Sequence, residues 1–136
     1  MTGFIQAIIK NPTRSIRLVN KGSSTVTTAN QVLVETAGLA VPASSGATVA
    51  TIVGVCNQSI AAADALTLVP VIEIFKGDVW LADSTNNSDA THNGQLMVLT
   101  DSLTVNNTGT TSASGVVKQV GTFGAAADKK ILVEFV

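Results

Sequence analysis

The apolar residues of this chain occur in short runs rich in Val, Ile, Leu and Thr, separated by clusters of Gly, Asn, Ser, Asp and Ala. β-Branched residues suit a pleated surface, and the clusters between the runs are typical of turns. Helical periodicity is scarce, and one turn at residues 61–64 is the best candidate. The pattern predicts an all-β domain, a small barrel or sandwich. We expect strands near residues 4–9, 15–19, 31–35, 48–56, 65–75, 78–82, 95–100, 116–122 and 130–136.

Two glycine-containing tetrapeptides predict hairpin turns. Residues 75–78 place a glycine where a positive φ angle is needed, and residues 92–95 contain the Asn-Gly pair of type I′ turns. Pro70 cannot donate a hydrogen bond to a ladder, so we expect it at an edge or a bulge. The polar, low-complexity segments 83–94 and 104–115 are predicted to project from the body as loops.

Charge divides the chain into two parts. The residues before Glu35 include four cations and no carboxylate, whereas the chain from Glu35 onward has four cations and nine carboxylates. Such an asymmetry favours a separate partner for the first segment. We therefore predict an extended N-terminal arm over residues 1–30 and an all-β body over residues 31–136.

The arm has three competing interpretations. Its cations could neutralise phosphates, but the acidic body and the isolated Phe4 argue against a nucleic-acid site. Ile16 and Leu18 alternate with Arg17, which is typical of an extended segment that lays apolar residues on a partner protein. The third interpretation is that the segment is simply the first strand of the domain. Under the second, the predicted contacts are Lys10, Arg14, Ile16, Arg17, Leu18 and Lys21.

Catalytic chemistry is poorly supported. The single histidine, His92, lies in a polar loop, and the single cysteine, Cys56, follows an apolar run that predicts a buried, unreactive thiol. Asp83 and Asp89 could bind calcium, but the twelve-residue loop pattern fails at Thr100. No zinc, P-loop or dinucleotide motif occurs. We expect neither an enzyme nor a cofactor or metal.

Low charge and the absence of targeting signals bear on location. Only 12% of the residues are charged, which is common where much of a surface packs against other subunits. The first residues lack the cationic and apolar regions of a secretion signal, and no apolar run is long enough to span a membrane. We expect a protein assembled in the cytoplasm, without membrane or direct nucleic-acid binding.

Five segments of the chain resemble tailed-bacteriophage capsid decoration proteins, also called cement or head-stabilising proteins. The likeness covers residues 31–136 and consists of strands, glycines and spacing. The segments are residues 51–55 (TIVGV), 66–69 (LTLV), 75–80 (FKGDVW), 115–121 (GVVKQVG) and 130–135 (KILVEF).

The resemblance implies a small β-barrel or β-tulip domain on the exterior of an icosahedral capsid. It implies a homo-oligomer, with a trimer favoured, and a terminal arm that adds to a strand of the major capsid protein. A carbohydrate- or host-surface-binding module of a phage fibre or adhesin is the alternative. In that case Trp80 and the loops 83–94 and 104–115 would form the site, although Trp80 lies in an apolar run that also predicts a core position.

Overall fold

The computed structural model describes residues 2–8, 16–21, 29–60, 68–108 and 115–136, and in these residues the protein is all-β, as predicted. Three one-turn 3₁₀ helices occur at Val49–Thr51, Ala90–His92 and Ala126–Asp128. The strands are β1 (Ile5–Ile8), β2 (Ile16–Asn20), β3 (Val32–Thr36), β4 (Leu39–Pro42), β5 (Ile52–Cys56), β6 (Leu68–Ile72), β7 (Val79–Ser84), β8 (Leu96–Met97), β9 (Leu99–Asp101), β10 (Thr104–Val105), β11 (Val117–Phe123) and β12 (Lys130–Phe135).

Seven strands form a curved sheet in the order β8-β11-β12-β7-β10-β9, with β1 also paired to β7. The strands at its two ends, β8 and β9, are separated along the chain only by Val98. One short stretch of backbone therefore pairs with β11 at its start and with β10 at its end, so the sheet nearly closes into a barrel.

Strand β7 lies at the centre of this sheet. Strand β12 pairs antiparallel along one side of it, from Lys130 opposite Asp83 to Val133 opposite Trp80. On the other side, β1 occupies the first half of β7 and β10 runs parallel to the last two residues. The N-terminal strand is thus hydrogen-bonded into the middle of the domain.

The remaining five strands form a second sheet in the order β2-β6-β5-β3-β4. Its pairs are antiparallel, and β2 matches β6 over all five residues. A single parallel bridge between Lys21 and Ala40 links the two outer strands. In the part of the chain that the structure describes, this sheet also curves until its edges touch, at that one bridge.

A large core fills the seven-stranded sheet and the space between the two sheets. Phe135 lies near its middle: its ring centroid is 5.5 Å from that of Phe4 and 5.9 Å from that of Trp80, the second contact being edge to face. Both partners are buried. Burial of such aromatic side chains is the largest single source of stability that a domain of this size has.

A smaller core lies on the opposite face of the five-stranded sheet, around Leu33, Cys56, Val69 and Val71. Cys56 is buried as predicted, and its Sγ donates to the carbonyl of Gln58 at 3.0 Å. Strands β3 and β5 have apolar residues on both faces because each face meets a different core.

The predicted arm is not separate from the body in the described residues, which corrects the division at residue 30. Strand β1 pairs with β7, β2 pairs with β6, and Phe4 is 1% exposed within the large core. The physical reason is that the segment carries enough apolar residues to be stabilised by burial. Of the three interpretations, the third describes its structure, while its role in docking stays a prediction.

Both predicted turns exist, but neither closes a hairpin. The Asp78 amide donates to the carbonyl of Phe75, with Gly77 at φ 95°, yet the turn connects strands of different sheets. The Gln95 amide donates to the carbonyl of His92 in the second turn. There Asn93 has φ −58° and ψ 132° before Gly94 at φ 89°, the geometry of type II rather than type I′.

The expectation for Pro70 is wrong, because β6 is an interior strand. The proline carbonyl accepts a hydrogen bond from the Asn57 amide at 2.9 Å, so its backbone faces β5. The ladder between β5 and β6 ends at Cys56 opposite Val71, one residue earlier. Pro70 therefore lies just beyond the end of the ladder, at a position where its lack of an N–H removes no hydrogen bond to β5.

Strands β4 and β10 were not predicted, and β10 lies in a segment expected to be a loop. In the polar segments 83–94 and 104–115, the buried side-chain amides of Asn107 and Gln119 hold the described residues against the body. The helical turn expected at residues 61–64 lies outside the described residues.

Candidate functional site: the β2 edge of the five-stranded sheet

Three large apolar side chains on one face of β2 and β6 are exposed to solvent. Ile16 is 56% exposed, Leu18 is 60% exposed and Leu68 is 45% exposed. They share a face because Leu68 is directly opposite Asn20, two residues from Leu18 along an alternating strand. We call Ile16, Leu18 and Leu68 the β2 strip.

The β2 strip belongs to the face of the sheet that packs on the large core. Val55 of β5 is fully buried in that core, and Ile72 of β6, which is opposite Ile16, packs against it only partly. Burial therefore falls from β5 through β6 to β2. The strand extends past the large core, and its apolar side chains are left uncovered by the described residues.

The predicted cations of this segment do not surround the strip. Arg17 is opposite Val71, on the face of the smaller core, and its guanidinium donates to the carbonyl of Val53 at 3.0 Å. Lys21 is only 2% exposed, so its side chain has little access to a partner here, and its role as a contact stays a prediction. Lys10 and Arg14 lie outside the described residues.

A groove of about 420 Å³ lies beside β2, between this strand and the turn that joins β3 to β4. Arg17 and Glu35 are its charged lining residues, and Gly38 and Ala40 line its far side. A second concavity of about 310 Å³, which includes Glu73, lies on the other side of the Arg17 side chain. Arg17 thus separates two solvent-accessible grooves.

The candidate catalytic and calcium-binding residues have structural contacts instead. Asp83 accepts the Gly3 amide at 2.8 Å and forms an ion pair with Lys130, which ties β1 and β12 to β7. The described residues contain no group of three His, Cys, Asp or Glu side chains that could hold a metal ion. Asp83 thus joins three strands of the seven-stranded sheet.

Asp89 caps the 3₁₀ turn that follows it. Its Oδ1 accepts the Thr91 amide at 2.8 Å and the Thr91 hydroxyl at 2.7 Å, and these bonds hold the pKa of Asp89 below its ordinary 3.8. His92 Nε2 lies 3.8 Å from Asp89 Oδ2 and lowers the same pKa to a smaller extent. The pair stabilises a turn, and its carboxylate remains exposed.

Trp80 is fully buried, so it offers no face on which a sugar could stack. The described loops beside it are also constrained. The Asn107 side chain accepts the Asn86 amide at 2.8 Å and donates to the carbonyls of Asn86 and Asn87. Gln119, which is fully buried, donates to the carbonyl of Asp89 at 2.8 Å and to the side chain of Asn93.

Sequence reasoning missed two kinds of residue here. Leu68 completes the β2 strip, but only the pairing of β2 with β6 brings it beside Leu18. Gln119 did leave a signal in the sequence, because it lies two residues after Val117 on the inward face of a strand. A polar residue at a core position must find partners, and those partners identify the loop that the strand holds.

Neither protein-family models nor curated protein sequences give a match to this chain. The described residues include no helix with the length and apolarity needed to cross a membrane. The strands and the β2 strip define the class of protein as a small all-β domain with an exposed apolar edge.

Proposed function

We propose that the protein is a structural component of a virion that binds the outside of an icosahedral phage capsid and stabilises contacts between major capsid protein subunits. The observation that carries the proposal is the β2 strip, because contiguous exposed apolar side chains on a sheet mark interaction surfaces. The sequence resemblance to decoration proteins is the reason for proposing the major capsid protein as the partner. The all-β fold and the structural use of Asp83 and Asp89 are in keeping with a protein that works by binding.

A clamp of this kind acts through many equivalent copies. Each copy binds only the assembled shell, so mass action stabilises the shell relative to its dissociated subunits. Repetition around the symmetry axes makes even a modest interface effective by avidity. The proposal includes a homotrimer, the arrangement that the resemblance implies. Sedimentation equilibrium of the purified protein measures this directly, and a monomer at all concentrations would contradict that part.

The test is co-sedimentation with undecorated shells of the phage that encodes the chain. Deleting residues 2–20 would remove Phe4 from the core, so point substitutions are the sharper choice. The double variant Ile16→Ser, Leu18→Ser should lose binding because the apolar contact is removed. The matched control is Phe123→Ser, which is also 56% exposed but lies in the other sheet. Full occupancy by the double variant would overturn the proposal.

A further inference from the structure

Among the described residues, strand β2 forms a ladder along one side only, with β6. Pro70 directs its carbonyl towards β5, and in an antiparallel ladder the residue opposite such a position directs its own N–H and C=O away from the partner strand. Leu18 is that residue, and Ile16 follows the same alternation. Within the described ranges, the one backbone bridge across this edge joins Lys21 to Ala40.

This edge has few of the features that protect other edge strands from added chains. Natural edges are blunted by proline, by bulges or by inward-pointing charges. The pairing of β2 with β6 is regular over all five residues, with no bulge, and its proline lies on β6. Arg17 is the one charged residue within β2 itself. The strand is therefore suited to receive a further strand in register.

We infer that the β2 edge binds one extended segment of a partner protein, in which apolar residues flank an acidic residue, as an added strand in the groove beside Arg17. The groove gives the room for a single chain, with a volume of about 420 Å³ between β2 and Gly38. The inference concerns backbone pairing along the edge, and it holds whether or not the partner is a capsid protein.

The residues of β2 define the side chains of this segment. On one face, an added strand would place residues beside Ile16 and Leu18, and apolar cross-strand neighbours would cover them. On the other face, the intervening residue would lie beside Arg17, which has guanidinium donors left after its bond to Val53. An acidic residue there complements the charge. Glu35 lies further along, beside Ala40 near the bridge, and so disfavours a second acidic residue at that end.

A second copy of the protein fits this groove less well. Its β2 would arrive paired to its own β6, as part of a whole sheet. The turn at Gly38 lines the opposite wall of the groove and would meet that sheet. A single extended chain avoids the collision, because strands in a sheet lie only about 4.8 Å apart.

The experiment uses isotope-labelled full-length protein and the peptide acetyl-Thr-Val-Glu-Val-Thr-amide at millimolar concentration, followed by amide NMR. The amides of Ile16 and Leu18 should shift and gain protection from hydrogen exchange, whereas those of Arg17 and Val19, already bonded to β6, should change less. The lysine-for-glutamate peptide should bind about two- to fivefold more weakly, as expected for a solvent-exposed ion pair. Arg17→Glu should reverse that preference.

Two controls isolate the backbone contribution. The peptide with both valine amides N-methylated should not bind, and Leu18→Pro should lose binding while keeping the ladder to β6. No response of Ile16 and Leu18 to the glutamate peptide, or an equal response to its N-methylated form, would overturn the inference. Protection of these amides that grows with protein concentration alone would assign the edge to a second copy instead. Failure of shell binding by the Ile16→Ser, Leu18→Ser variant leaves these outcomes unaffected, so the two proposals fail separately.

Discussion

The two sheets use their apolar residues in different ways. In the seven-stranded sheet, Trp80 and Ile131 are fully buried, and the sheet curves until consecutive strands lie at both of its ends. In the five-stranded sheet, β2 exposes Ile16 and Leu18, and within the described part of the chain it forms a ladder with β6 alone. The aromatic contacts among Phe4, Trp80 and Phe135 belong to the seven-stranded sheet, so β2 can keep an uncovered surface for a partner without weakening them.

The largest expected effect comes from the core of the seven-stranded sheet. Trp80→Ala should lower the free energy of unfolding by about 3–5 kcal/mol, because it creates a cavity beside Phe135. Urea denaturation followed by circular dichroism measures it. Trp80→Phe is the control and should cost less, since the indole Nε1 has no hydrogen-bond partner among the described residues. Equal costs for the two variants would contradict the packing account.

The next effect concerns the amide that anchors the loop after β7. Asn107→Ala should lower the free energy of unfolding by about 1–3 kcal/mol, because the Asn86 amide and the Asn87 carbonyl lose their bonds to a buried side chain. Thermal denaturation provides the measurement. The control is Asn87→Ala, which keeps the backbone carbonyl that Asn107 binds and should leave the free energy of unfolding almost unchanged. A cost for Asn87→Ala as large as that for Asn107→Ala would show that the loop is held in another way.

Substitution in the β2 strip should separate binding from stability. The double variant Ile16→Ser, Leu18→Ser should change the free energy of unfolding by less than about 1 kcal/mol, because both side chains are already exposed. The same denaturation experiment checks this value alongside the shell-binding assay. A loss comparable to that of Trp80→Ala would mean that the strip is a stabilising element, and the contrast between the two sheets would disappear.

The smallest effect is a pH dependence in the turn after Asp89. Because the pKa of Asp89 is lowered in the folded state, its contribution to stability is present above the ordinary 3.8 and is lost as the pH falls through the lower folded value. Thr91→Val removes the hydroxyl donor and should raise the pKa of Asp89 towards 3.8. An NMR titration of the carboxyl carbon measures it. An unchanged pKa would assign the shift to other groups.

Most of the strands were predictable because the local pattern and the final environment agree. The run 130–135 alternates inward and outward residues as β12, and residues 32–34 are apolar throughout because β3 lies between two cores. Strand β10 could not be predicted, because its two residues become a strand only by pairing with the end of β7 and with β9. Turns were predictable from glycine, but which strands they connect depends on long-range pairing.

The candidate site was predictable only in part. Ile16 and Leu18 were identified from their alternation, and both are exposed. Arg17 and Lys21 were predicted as further contacts, whereas pairing with β6 directs Arg17 to the other face, and Lys21 is buried. A one-dimensional pattern gives the period of a strand, but the neighbouring strands decide which face meets solvent.

The contact between Phe4 and Phe135 has a consequence for biosynthesis. Phe4 immediately precedes β1 and Phe135 ends β12, and β7, which lies between them in sequence, pairs with both of these strands. Contacts between residues so distant in sequence form slowly and only after the later strand exists. The sheet therefore cannot complete while its C-terminal strand is still inside the ribosome, and the nascent chain carries its unpaired strands until translation has passed β12.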